Sequence, residues 1–225
     1  MALPLFVVYH VLLTLEPQSP GGSLRNGADV ILQALFARVA GARGPLLLLV
    51  CLVGVGVWLV VRDLRAHPRD LRAGVLGVML AESAVLALLF GAAVATVTSQ
   101  LVRPTALIGT AQLTELSSST RLTLSLGAGL YEELLFRVLL VGSLAWGARR
   151  LLGWRPVVAG VWAALLGAVV FSAFHYIGPY GDPFRVYSFV FRAIAGLAFS
   201  ALFLLRGFGI TAWTHALYDV FLLMR

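Results

Sequence analysis

Long apolar runs recur along this chain, and only short polar or glycine- and proline-rich breaks separate them. Several are long enough to cross a hydrocarbon core of roughly 30 Å as α-helices. The pattern predicts an all-α, polytopic transmembrane bundle of about seven membrane helices. The first, residues 2–15, is short and stops at the breaker cluster 17–22. Residues 45–61 form the second, stopped by Arg62 and Asp63, and residues 74–101 form the third. The fourth to seventh are residues 122–147, 156–177, 186–205 and 210–224. Between the first two, residues 29–39 alternate as an amphipathic helix lying at the interface. Residues 104–119, rich in Ser and Thr, read as a connecting loop or short surface helix. Gly178, Pro179, Gly181 and Pro183 break the fifth helix, and Gly207 and Gly209 hinge the last two.

Composition sharpens this reading. Hydrophobic residues make up 60% and charged residues 12% of the 225, against about 25% charged in soluble domains. The mean hydropathy is +0.94. At this length one helical bundle is expected without a separate soluble domain, with N-terminal helices over 1–120 and a four-helix core over 121–225. The N-terminus lacks the positive region and small-residue cleavage site of a removed leader, and reads as a first helix or signal anchor. All basic residues are arginine, as in a GC-rich genome, and the net charge of +7 suits juxtamembrane arginines that meet anionic lipid. Arg62, Arg65, Arg69 and Arg72 crowd one connection and Arg149, Arg150 and Arg155 another; with seven spans the two share a side, read as cytoplasmic. No nucleic-acid partner is expected. Cys51, alone in an apolar run, excludes an intrachain disulfide and reads as a small buried hydrophobe.

Ionisable residues inside the apolar runs carry the functional signal. One facing lipid costs about 2.5–3.5 kcal/mol or more, so such residues face a bundle interior, a partner or a polar cavity. Glu132, Glu133 and Arg137 lie on the fourth helix, His175 closes the fifth, and His215 and Asp219 lie on the seventh. Glu133 and Arg137 share a face in the favourable acid-first order. Glu132 is rotated from Glu133 by about 100° and is worse placed to reach the arginine. One carboxylate is thereby neutralised and the other left free to take a proton from water, a general-base role assigned to Glu132. The plainer alternative is a glutamate pair that shares a proton or bonds neighbouring helices. Asp219 is placed to hold the His215 imidazole in one tautomer. Glu82 and Arg192, also inside spans, either pair with each other or leave Arg192 to receive a substrate carboxylate. Ser125, Gly127 and Gly129 permit close helix contact beside the glutamates. His10 and His67 carry no functional signal.

The ordered set E-E-x-x-x-R, F-x-x-x-H and H-x-x-x-D, each on its own hydrophobic helix, resembles the CPBP intramembrane protease family. That family includes type II CAAX prenyl endopeptidases and bacteriocin-processing or bacteriocin-immunity proteins. The matching residues are Glu132, Glu133, Arg137, Phe171, His175, His215 and Asp219, and the resemblance covers the chain from about residue 122 onward.

The resemblance implies an intramembrane endopeptidase in which Glu132 activates water, His175 and His215 assist, and Glu133, Arg137, Phe171 and Asp219 support the site. It implies cleavage near the C-terminus of a membrane-associated protein or peptide, with membrane lipids as the other partner. Prenyl endopeptidases often carry asparagine where this chain has Asp219. With an acid there, oxyanion stabilisation falls more on His215, and Glu132, His175, His215 and Asp219 become a possible zinc set. No H-E-x-x-H helix is present, which excludes a conventional zincin. A lysine-free chain of this kind is expected in a bacterial inner membrane. Two rivals remain: a non-catalytic immunity or scaffold protein of the same fold, and a proton-coupled transporter, for which no paired repeat is visible. Counting residues along antiparallel helices leaves His215 nearer the far end of its helix than Glu132 and His175. Their meeting therefore requires the hinge at residues 206–209 to dip into the membrane beside a polar cavity, or the sixth helix to tilt.

Overall fold

The structure, a computed structural model, describes residues 2–16, 24–66, 73–103, 116–178 and 181–223. The breaker at 17–22, most of the 104–119 connection, His67, Arg69, Arg72 and Pro179 lie outside the described residues. The described residues form helices and no strand. Helix α1 spans Leu3–Leu15, α2 Gly27–Ala40, α3 Gly44–Ala66 and α4 Ala73–Leu101. A tight turn, Gly41–Arg43, joins α2 directly to α3.

The fourth predicted helix is one longer rod. It begins as α5, Ser118–Gly127, widens into π-helical turns over Ala128–Glu132 and Leu134–Val141, and ends as α6, Gly142–Leu151. Helix α7 spans Pro156–Phe174, starting with proline in its first turn where the missing N–H costs nothing. The sixth and seventh predicted helices are one run, α8, Val186–Leu223, broken only at Gly207. There φ is 78° and ψ 175°, a conformation that side chains other than hydrogen avoid. The expected two-glycine hinge is thus a single residue, because Gly209 continues the helix.

The core is largely apolar, but so is the surface, unlike that of a soluble bundle. Val157, Leu205, Leu151 and many other large apolar side chains point outward, while Asp29, Glu132, Glu133, Arg137 and His215 are buried. That distribution suits a lipid surround. Among the described residues, four helical runs can cross a bilayer by length and composition: Gly27–Arg62, Gly74–Leu101, Pro156–Phe174 and Val186–Leu223. The chain is an integral membrane protein. Cys51 is exposed on α3 instead of buried, because this helix turns most of its mid-length outward.

Helix α8 is the central element. Phe90 of α4 stacks on Phe199 of α8 at 4.1 Å between ring centroids. On another side the rod meets α8 so closely that a Cβ on Gly129 would stand 2.4 Å from the Ala212 carbonyl oxygen and 2.6 Å from the Ala216 nitrogen. Helix α1 packs on the rod through Tyr9 and Tyr131, whose rings meet edge-on at 5.4 Å.

Candidate active site

Glu132 ends the first π-helical stretch and Glu133 follows it. A wider turn holds more residues, so consecutive side chains diverge less than the about 100° of an α-helix. Both carboxylates therefore face the interior, 6% and 0% exposed.

Their partners differ. One Glu133 oxygen pairs with Arg137 Nε at 3.1 Å, an ion pair by distance although its angle falls outside hydrogen-bond geometry. The other accepts a 2.7 Å hydrogen bond from His215 Nδ1. Arg137, 1% exposed, lies over the rings of Phe171 at 4.4 Å and Phe199 at 5.4 Å, which spread contact over its cation. It also donates to the Gly196 carbonyl at 3.5 Å. Among the described residues Glu132 pairs with no arginine. Its Oε1 accepts from Asn26 Nδ2 at 2.9 Å, and its Oε2 stands 4.0 Å from His175 Nε2 and 4.0 Å from His215 Nε2.

Both imidazoles have a defined hydrogen. His175, the residue that ends α7, places Nδ1 2.9 Å from the Phe171 carbonyl. A carbonyl only accepts, so Nδ1 carries the hydrogen and Nε2 faces Glu132. The same argument applies to His215, whose Nδ1 donates to the Glu133 carboxylate. Phe199 stacks on the His215 ring at 4.4 Å, and Phe171 stands edge-on to His175 at 4.9 Å. Two nitrogens and one carboxylate oxygen thus converge at separations too long for direct hydrogen bonds. Two bonds of about 2.8 Å through one water span such a gap.

Glu132, His175 and His215 therefore meet despite the mismatch in depth counted along the helices. The wide turns of the rod, its contact with α8 at Gly129 and the break at Gly207 bring them level. Asp219 reaches the same cluster from α8, its Oδ2 3.7 Å from His215 Nε2. It does not hold the His215 tautomer, as the spacing suggested; Glu133 does, because the close approach of rod and α8 puts its oxygen on the Nδ1 side. The four residues considered for zinc are gathered but not at ligand spacing. Ligands about 2.0–2.1 Å from a tetrahedral ion lie about 3.3 Å apart, well inside the 4.0 Å found here. Among the described residues no group of three or more His, Cys, Asp or Glu is arranged to hold a metal.

Arg192 and Glu82 do not pair. Arg192 bonds Asp182, donates to Ser188 Oγ at 3.2 Å and lies over the Tyr176 ring at 5.3 Å. Glu82 instead takes Arg206 at 2.6 Å, because the break at Gly207 presents Arg206 to α4. Beside that pair opens a groove of about 490 Å³ lined by Val78, Met79, Glu82, Arg206, Gly209 and Ile210 among others, with none of the Glu132 cluster on its wall.

Three contributors escaped the sequence reading. Asn26 precedes a helix and has the residue type of an N-cap, but nothing in the sequence ties it to a carboxylate 106 positions away. Phe199 is silent within an apolar helix, and Asp182 sits in what reads only as a breaker segment.

Residues 115–221 match the family model described as Type II CAAX prenyl endopeptidase Rce1-like, a little under half the chain and the stretch that carries every motif residue named above. No curated protein and no solved structure matches the chain.

Proposed function

We propose, on the premise that residues 115–221 form an Rce1-like domain of the type II CAAX prenyl endopeptidase family, that this membrane protein cleaves a membrane-associated protein or peptide near its C-terminus. The observation that carries the reading is the equal 4.0 Å approach of both Nε2 atoms to Glu132 Oε2. A water seated there would be held by three groups at once.

In the proposed reaction Glu132 takes a proton from this water while His175 Nε2 accepts a second hydrogen bond from it and orients it. The oxygen attacks the peptide carbonyl carbon and the carbonyl oxygen becomes an oxyanion. His215, in its doubly protonated form, donates from Nε2 to that oxyanion while Glu133 holds its other hydrogen. Collapse breaks the C–N bond, and the proton on Glu132 passes to the leaving nitrogen. Arg137 offsets the charge of Glu133, Phe171 seats the arginine, and Asp219, 3.7 Å from His215 Nε2, sets its carboxyl group beside the ring on the side nearer the surface. Arg192, partly exposed at the His175 end, is assigned to a substrate carboxylate, for which Asp182 stands in within the free protein.

Seven membrane helices, with the rod, α7 and both arms of α8 as the catalytic four, belong to this proposal. So does a bacterial inner-membrane location, which rests on the arginine-only composition. The test is cleavage of a candidate membrane-bound peptide by purified protein. Loss of cleavage in Glu132→Ala, with retention in Glu82→Gln, supports the reading; cleavage by Glu132→Ala overturns it.

A further inference from the structure

The matched domain supplies both imidazoles and both glutamates, yet the hydrogen bond that orients the proposed base comes from outside it. Asn26 lies between α1 and α2, and its amide is used at both ends. Oδ1 accepts from Ala28 N at 2.9 Å and so caps α2, while Nδ2 donates to Glu132 Oε1 at 2.9 Å. The cap fixes which end of the amide faces the carboxylate, since only the N–H₂ end can donate. A carboxylate with one oxygen tied to Nδ2 keeps little freedom to rotate, and its other oxygen is the one that faces both histidines.

The mounting of Asn26 is itself rigid. Asp29, one turn further along α2 and 0% exposed, accepts from Tyr9 Oη at 2.7 Å, from Arg25 Nη1 at 3.0 Å and from Gln33 Nε2 at 2.7 Å. Tyr9 comes from α1 and packs on Tyr131, the neighbour of Glu132. A Cβ added to Gly127 of the rod would stand 3.1 Å from Asn26 Cβ, so the Asn26 segment lies directly against the rod.

We infer that Asn26 is a positioning residue for Glu132: the N-terminal helices clamp it against the rod so that its amide holds Oε1 and turns Oε2 toward His175 and His215. This rests on the endopeptidase reading for its consequence in turnover, but the clamp itself is testable without a substrate.

Asn26→Ser separates the two uses of the side chain, because serine caps a helix as well as asparagine but brings no amide to Glu132. The full-length protein carrying it is expected to unfold at the wild-type temperature. Its kcat should fall about 10- to 100-fold with KM changed less than about twofold, the signature of a misaimed group in an intact binding site. Asn26→Asp, which also caps but sets an acid against Glu132, should lose at least as much. A kcat within about twofold of wild type in both variants, while Glu132→Gln is inactive, overturns the inference and leaves the endopeptidase reading standing. A Glu132→Gln protein that still cleaves overturns that reading instead. The second arm then decides the inference alone: labelling of Glu132 by dicyclohexylcarbodiimide, followed by mass spectrometry, should rise severalfold in Asn26→Ser, and an unchanged rate sinks the proposal.

Discussion

Glu132 and Glu133 have the same side chain and adjacent positions, but their neighbours differ. Glu133 is tied to Arg137 and His215. Replacing it by glutamine leaves the Arg137 cation, 1% exposed, without its counter-charge. Removing one partner of such a buried pair costs about 3–5 kcal/mol, so Glu133→Gln should lower the unfolding midpoint in detergent markedly. Glu132→Gln should not, because an amide oxygen still accepts from Asn26. That variant is instead expected to lose about 10²- to 10⁴-fold in kcat, the range of a general base, measured on the purified protein. The division between the two acids was legible in the sequence because Glu133 and Arg137 stack at a fixed helical spacing. The tautomer of His215 was not legible, since both an i, i+4 acid and an acid from another helix can reach the ring, and only packing chooses between them.

Element by element, two glycines set how the site closes. At Gly129 the rod touches the backbone of α8, and a single methyl group there would meet the Ala212 carbonyl at 2.4 Å. Gly129→Ala must push the rod outward, at about 1–3 kcal/mol for an overpacked contact. The push also moves Glu132 and Glu133 away from His215, so cleavage should fall more than stability alone explains, which parallel unfolding and turnover measurements would show. At Gly207 the cost is conformational. Gly207→Ala holds a φ of 78° that alanine resists, about 1–3 kcal/mol, and should loosen the Glu82–Arg206 pair beside it. Gly129 was visible in the sequence as a small residue beside the glutamates, and Gly207 as one half of a two-glycine hinge. The π-helical turns were not, because a widened turn differs from an α-turn by a shift of one residue in hydrogen bonding, which leaves no mark in residue type. The joining of the sixth and seventh helices into one kinked run was hidden for a related reason: two glycines close together mark a break but not its extent.

For the molecule as a whole, the late half of the chain announced itself and the early half did not. Charges inside apolar runs are costly against lipid, so Glu132, Arg137, His175 and His215 stood out and the structure gathers them. Residues 1–40 offered only a short helix and an amphipathic one, yet Asn26 crosses from that half into the cluster. The segment that carries Asn26 is held by the set of bonds on Asp29, which ties α1 to α2 through Tyr9. Asp29→Ala removes the acceptor for three donors at once, and leaves Tyr9 buried without it. An orphaned buried donor costs about 1–3 kcal/mol, so this variant should be destabilised although it lies outside the matched domain. Because α2 then loses its hold against α1, Asn26 should slacken and turnover fall together with stability. Asn26→Ser, which spares the Asp29 bonds, should lose turnover alone. Measuring unfolding and kcat in both variants thus distinguishes two ways in which the N-terminal helices act: as scaffold, through Asp29, and as aim, through Asn26. Equal stability of Asp29→Ala and wild type would mean that the Asp29 bonds do not hold α2 against α1.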